Sequence, residues 1–389
     1  MVIELGSTCW KTFMNHSLDD QIAAERDQRL EQLELKVTEL KEASMGLGLD
    51  KQIAELLNIT HNGNPSYHLN VANFFREYSN AMLNVKQMGY YIGMQEMKKN
   101  GVKKRIKQII APSSTILETK LCTQEDCESD WYIYWLQQLK SGFVYHRKLW
   151  EFCYIAQQLY SLGMLSPGKT GIGFGCGEEP LPSLWASFGA ASTATDLHPE
   201  RSLESQQGWI DAGAHGTSRE KLLHRNICPD EDKLALISHA YADMNDITEE
   251  FFDKYDFCWS SCAFEHLGSI EKGLQFIENT MKTLKPGGVS VHTTEFNLAD
   301  GETIDNWSTV LFQRRHIEDL KSRLEAKGYI VEPLNFDGGG KVLDGLFDVP
   351  PWPWEAEKLN FGMLYTYAHL KKSIDGMPCT SIGLTVRKP

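Results

Sequence analysis

Apolar residues recur along this chain in three rhythms, each in its own stretch. Between about Leu18 and Leu47 they fall at Ala23, Leu30, Leu33, Val37, Leu40 and Leu47, with Glu, Lys, Gln and Arg between them. These three-, four- and seven-residue steps form a short heptad pattern, which predicts an amphipathic helix across residues 1–64 and a route to a homo-oligomer. Gly46-Leu47-Gly48 and Asn62-Gly63-Asn64-Pro65 close the segment with turn formers. Residues 65–165 are mostly helical in pattern and rich in rings, as in Phe74-Phe75, Tyr90-Tyr91 and Trp131-Tyr132-Ile133-Tyr134-Trp135. A run of this kind predicts core packing ahead of an acceptor-lining role. After Lys169 the rhythm changes. Strands ending near Phe174, at Ala191 to Thr195, Tyr255 to Ser261 and Val289 to Phe296 alternate with helices at Leu181 to Phe188 and Ile270 to Leu284. Such alternation requires crossover connections and a covered sheet, so residues 166–389 are expected to form a doubly wound, mostly parallel α/β domain with a reversed last strand near Ser381 to Val386. Two connections, near 198–236 and 337–378, are longer than the fold needs, and the second holds Pro350-Pro351-Trp352-Pro353-Trp354.

Composition narrows the partners. The net charge of −13 comes with Lys and Arg dispersed, which argues against a nucleic-acid backbone as ligand. There is no basic segment followed by an apolar core at the N-terminus and no run near the roughly 20 apolar residues of a membrane span, so a cytoplasmic protein without a membrane span is expected. The nine cysteines are scattered, which fits free thiols in a reducing compartment. Cys122 and Cys127 lack the second close pair of a zinc site, and no metal ligands are assigned.

The chemistry centres on Gly171-Ile172-Gly173-Phe174-Gly175-Cys176-Gly177-Glu178-Glu179-Pro180. Glycine lets a backbone bend tightly beneath a ligand, having no Cβ and reaching positive φ without strain. Alone this is weak, since such loops serve many cofactors. The order that follows is more specific: helix, Gly189, strand, Asp196, then Ala240-Tyr241-Ala242-Asp243-Met244 and Leu284-Lys285-Pro286-Gly287-Gly288. In that order the chain resembles the class I S-adenosylmethionine (SAM)-dependent methyltransferase family from about Tyr145 onwards. With Ser260-Ser261-Cys262-Ala263-Phe264-Glu265-His266-Leu267-Gly268 and His292-Thr293-Thr294-Glu295-Phe296-Asn297, it resembles a bacterial subgroup linked to glycan or secondary-metabolite modification.

The resemblance implies a Rossmann-like, seven-stranded methyltransferase sheet preceded by a helical N-terminal region, with SAM as cofactor. It implies a loop contact through Gly173, Phe174, Gly175, Gly177 and Glu178, a ribose contact through Asp196, and an adenine site at Asp243 and Met244. Leu197 and Ser260 complete the implied set. Two positions depart from the family: Gly173 stands where an acid usually helps hold the methionine end of SAM, and Glu179 stands where a third glycine usually is.

Methyl transfer from a sulfonium is a direct displacement, and a hydroxyl nucleophile must also lose a proton. His266 and Glu265 follow the fourth strand, and His292 and Glu295 lie in the fifth, so all four are candidates for general-base work at the carboxyl edge of the sheet. Arg147, Trp150 and Glu151 are candidates for the rim. The expected activity is O-methylation of a small-molecule or saccharide hydroxyl. N- or C-methylation of a small metabolite and a non-catalytic SAM-binding scaffold are the alternatives.

Overall fold

A computed structural model describes residues 71–101, 107–198, 218–349 and 368–389. The chain divides into two units, Met1–Asn80 and Ala81–Pro389. The described part of the first is the beginning of helix α1 (Val71–Glu96). The expected heptad segment therefore lies outside the described residues, as do Trp209 and Trp352 of the two long connections. The expected helical region 65–165 is divided at Asn80, and its remainder belongs to the same unit as the sheet.

Seven strands carry that unit: β1 (Thr170–Phe174), β2 (Ala191–Asp196), β3 (Ile237–Tyr241), β4 (Tyr255–Ser261), β5 (Leu284–Asn297), β6 (Ile330–Val331) and β7 (Met377–Arg387). They lie in the order β3-β2-β1-β4-β5-β7-β6, parallel from β3 to β5 and antiparallel between β5 and β7. The expected doubly wound sheet with a reversed last strand is present. The sheet is larger than expected, with eleven strands among the described residues. The additional ones, Thr119–Leu121, Leu334–Asn335, Phe347–Asp348 and Lys371–Ile374, are two to four residues long, too short for a period to show in sequence. Lys371–Ile374, Thr119–Leu121 and β6 pair in succession with the outer edge of β7, which covers an edge that would otherwise present unpaired backbone groups.

Helices α2 (Asp130–Gln138), α3 (Arg147–Ser161) and α4 (Leu181–Ser187) cover one face of the sheet; α5 (Ile270–Thr283) and α6 (Arg314–Ala326) cover the other. Alternation along the strands sorts the core. Phe257, Trp259, Val289 and Val291 pack with Trp135, Trp150 and Trp185 on the first face, while Ile172, Phe174 and Cys258 pack with Phe276, Ile277 and Leu320 on the second. The rings of α2 are core residues, as the aromatic run predicted: Tyr132 and Trp135 are fully buried.

Two expectations about β5 and β1 acquire physical reasons. Lys285-Pro286-Gly287-Gly288, expected as a turn ahead of the fifth strand, falls inside the bounds of β5 as a four-residue interruption of its pairing with β4, between Leu284 opposite Tyr255 and Val289 opposite Phe257. Gly287 has φ +78°, and a Cβ on Gly288 would lie 2.8 Å from the Lys285 carbonyl oxygen, so the bulge is built from residues lacking a side chain. On β1, Cβ atoms at Gly171 and Gly173 would meet the rings of Phe257 and Trp259 at 2.2 and 2.3 Å. These glycines make room for large rings on β4. Among the described residues no helix is long and apolar enough to cross a membrane.

Candidate ligand cleft

The carboxyl ends of β1, β2 and β4 and the segment after β3 open onto a cleft of about 930 Å³. Its first wall is the loop after β1. Gly175 and Gly177 both take positive φ, +61° and +54°, and a Cβ on Gly175 would lie 2.7 Å from the Ala263 Cβ. The loop is tied to β2 by two bonds, Cys176 N–H donating to the Thr195 carbonyl (3.1 Å) and Gly177 N–H to Asp196 Oδ2 (3.0 Å), while the Leu197 N–H just beyond β2 donates to Asp196 Oδ1 (2.9 Å). These bonds fix the Asp196 carboxylate at the tip of β2, where it lines the cleft. Next to it the Ala242 N–H donates to the Asp196 carbonyl (3.0 Å), which brings Asp243 and Met244 to the same wall. The Met244 thioether sulfur would be 3.3 Å from a Cβ on Gly175.

The opposite wall comes from α3, the end of β4 and the loop after β5. Lys148 and Phe152 face the cleft from α3, with Ser261, Cys262, His266 and Trp307 beyond them. Cys262 holds the left-handed region at φ +49°, an uncommon state for a residue with a side chain and one that clusters at functional sites. His266 Nδ1 lies 3.1 Å from the Ser308 carbonyl oxygen and 3.1 Å from Thr309 Oγ1. A carbonyl only accepts, so the proton belongs on Nδ1 and the ring's basic lone pair on Nε2.

Eight residues expected at the site line one cleft: Gly175, Gly177, Glu178, Asp196, Leu197, Asp243, Met244 and His266. The others lie elsewhere. Gly173 and Phe174 sit beneath the floor, within β1. Ser260 points into the core, its hydroxyl 2.7 Å from His292 Nδ1, while Ser290 Oγ lies 2.6 Å from His292 Nε2. His292 is thus a satisfied core histidine, and burial pushes it down to about 3, so it stays neutral. Its distance from the mouth has a plain cause: β5 runs on to Asn297, leaving His292 mid-strand between Ser260 and Leu384.

Glu295 is bound into a buried ion network. Its Oε1 lies 2.5 Å from both Arg147 Nη2 and Lys372 Nζ, and Arg147 Nη1 is 3.0 Å from Glu151 Oε1. Burial alone would raise both carboxyls. Arg147 and Lys372 instead hold Glu295 at about 2, and Lys148 and Arg147 do the same for Glu151. Glu265 is buried behind His266; Thr294 Oγ1 donates to its Oε2 at 2.9 Å, while its Oε1 has no partner, and burial raises its pKa.

The rim of α3 is displaced by one residue from expectation. Arg147 and Glu151 enter the ion network, and Trp150 is core, donating from Nε1 to Asp126 Oδ2 (3.1 Å). Lys148 and Phe152, one turn apart, face the cleft instead. Cys262, Lys272 and the loop Asn306-Trp307-Ser308 also line it without having been expected. The signal for the loop was a tryptophan in a polar, glycine-containing connection after the fifth strand.

No family model and no curated protein matches this chain. Among solved structures it is similar to a provisional sarcosine dimethylglycine methyltransferase of Galdieria sulphuraria, at 17% identity and a TM-score of 0.38 over 67% of this chain and 98% of that one. It is also similar to an S-adenosylmethionine-dependent methyltransferase of Mesorhizobium loti (15%, TM-score 0.35, 61% and 97%) and to the [4+2]-cyclase SpnF (16%, TM-score 0.36, 60% and 80%). With every TM-score below one half, these likenesses carry no weight for function. The strand order and the cleft stand on their own geometry.

Proposed function

We propose that the cleft binds SAM and that the protein is a methyltransferase acting on a hydroxyl of a small molecule or sugar. The observation that carries this reading is the meeting, in one cleft, of Asp196 at the tip of β2, the positive-φ glycines after β1 and the Asp243-Met244 pair after β3. A nucleoside with two vicinal hydroxyls suits a carboxylate fixed at the cleft wall, and the thioether of Met244 offers a polarisable surface for a flat base. When bound, SAM supplies a methyl group on a positively charged sulfur.

This chain's own residues then have two tasks. The cleft walls hold the acceptor in line with the methyl carbon and exclude water, which is most of what a direct displacement requires. His266 takes the proton that the acceptor oxygen loses as its new bond to carbon forms, receiving it on Nε2 because Nδ1 is held by Ser308. Glu265, buried behind, orients this wall through Thr294 and does not itself reach the cleft. His292 has no part in the step.

The test is turnover. Incubation with SAM and a panel of hydroxyl-bearing metabolites and sugars, followed by mass spectrometry, should show S-adenosylhomocysteine and a methyl group on oxygen. A methylated amine or carbon would overturn the acceptor assignment. His266→Ala should cut turnover at least about tenfold, given the 10²–10⁴-fold typical of a placed base, while SAM affinity stays within roughly threefold. Unchanged turnover would remove His266 from the reaction.

A further inference from the structure

The cleft contains an acidic group that a glycine-loop pattern does not account for. Glu179 occupies a loop position where a third glycine was expected, and its carboxylate lines the cleft. The reason for its presence lies one strand away. Gly173 pairs with Trp259 across β1 and β4, and a Cβ on Gly173 would lie 2.3 Å from the indole Cζ2. No side chain can rise from β1 there, because the Trp259 ring fills the space. That ring hands its Nε1–H, at 2.6 Å, to Glu179 Oε1, so a carboxylate reaches this part of the cleft from the loop instead of from the strand.

Two neutral donors, the Trp259 indole and the Cys176 thiol, are modest compensation for a half-buried carboxylate that has no ion pair of its own. Oε2 takes no hydrogen bond from a nitrogen or hydroxyl donor of the described residues. The nearest cation, Lys148, is engaged with the Ser261 carbonyl and hydroxyl and with Glu151, and makes no ion pair with Glu179. A site of this kind gains most from a ligand that brings its own positive charge and its own N–H donors.

Resting on the SAM reading above, we propose that Glu179, braced by Trp259, is the cation subsite of the cleft and receives the α-ammonium group at the amino-acid end of the ligand. The subsite has taken over from the strand position that Trp259 closes. Four groups face it: Lys148 from α3, Trp259 from β4, Asp196 from β2 and Cys176 from its own loop. Burial is the largest influence and pushes the carboxyl up to about 7; Trp259, Lys148 and the Cys176 thiol pull it down, and Asp196 adds to the rise. An arriving ammonium favours the ionised form, so binding and ionisation of Glu179 are linked.

Calorimetry on the full chain with three ligands tests this. SAM and S-adenosylhomocysteine carry the amino-acid end, whereas methylthioadenosine has the same nucleoside without it. Glu179→Gln is expected to weaken the first two roughly tenfold or more and methylthioadenosine by less than about twofold. Equal loss on all three would make Glu179 a prop for the loop and overturn the proposal, as would no loss on any. The wild type supplies a second readout that needs no variant. Between about pH 6 and 7.5 its SAM affinity should rise roughly five- to tenfold as Glu179 ionises, with methylthioadenosine flat across the same range; a flat SAM profile overturns the proposal. If the wild type binds none of the three, the SAM reading itself has failed, which is a different result from any of these.

Discussion

Arg147→Ala should destabilise the protein by about 3–5 kcal/mol, the range seen when one partner of a buried ion pair is removed. The guanidinium stands between Glu151, which is fully buried, and Glu295, at 3.0 and 2.5 Å. Lys148 and Lys372 remain after the substitution, at 3.2 Å from Glu151 and 2.5 Å from Glu295, and should keep the loss towards the lower end of that range. The pH dependence has a definite sign. Both carboxyls are held near 2 in the folded chain, below their ordinary value, so their contribution is fully present above about pH 5 and is lost as pH falls towards 2. In the variant the carboxyls lose the cation that holds them down, and protonation relieves the conflict. The gap between wild type and variant should therefore be widest near neutrality and narrow in acid. Urea unfolding at several pH values between about 3 and 8 measures it. Coincident midpoints at neutral pH would show that the network contributes nothing.

Asp196→Ala should weaken SAM binding ten- to a hundredfold, corresponding to about 1.5–3 kcal/mol for lost charge-assisted hydrogen bonds to the ribose hydroxyls. Part of any loss could come from the loop, since Asp196 also accepts from the Gly177 and Leu197 amides. Asp196→Asn separates the two contributions. The amide keeps the size and one acceptor oxygen for the backbone but not the charge, so it should still weaken SAM by roughly tenfold if the carboxylate meets the ligand. Calorimetry showing unchanged affinity in both variants would take Asp196 out of the site.

Much of the fold could be read from the chain because its strands and helices alternate with clear punctuation. Gly189, at φ +85°, ends α4 where the pattern stops, and β4 occupies the residues expected. The added strands were hidden by their length: Phe347–Asp348 and Leu334–Asn335 have no period to show. They exist because Lys371–Ile374 and Thr119–Leu121, themselves paired with β7, offer open edges, which is a tertiary fact. Lys285-Pro286-Gly287-Gly288 reads as a turn because proline and glycine usually mark one; here the four residues bulge out between Leu284 and Val289, which both pair with β4.

The site divides along the same line. Residues fixed by backbone geometry, such as Gly175, Gly177 and Asp196, were placed by the family resemblance, and they line one cleft because a tight loop after one strand faces the tip of the next. Residues fixed by rotation of a helix or the reach of a strand could not be placed that way. The face of α3 was ambiguous, since Arg147, Lys148, Trp150 and Phe152 are all long enough to serve a core or a rim, and only packing against β7 and β5 selects Lys148 and Phe152 for the cleft. His292 was misplaced because its ring turns into the core between Ser260 and Ser290, mid-strand, and no sequence signal shows that. The role of Glu179 depends on the ring of Trp259, a residue eighty positions away in sequence.

The central claim is that this cleft is a SAM site, and equilibrium titration of the wild type with SAM, S-adenosylhomocysteine and NAD addresses it most directly. NAD is the informative rival, because an acid at the tip of the second strand of a doubly wound sheet can equally hold the adenosine ribose of a dinucleotide. The account predicts saturable, one-to-one binding of SAM and S-adenosylhomocysteine and no binding of NAD at the same concentrations. Saturable binding of NAD without SAM, or of neither, would contradict it.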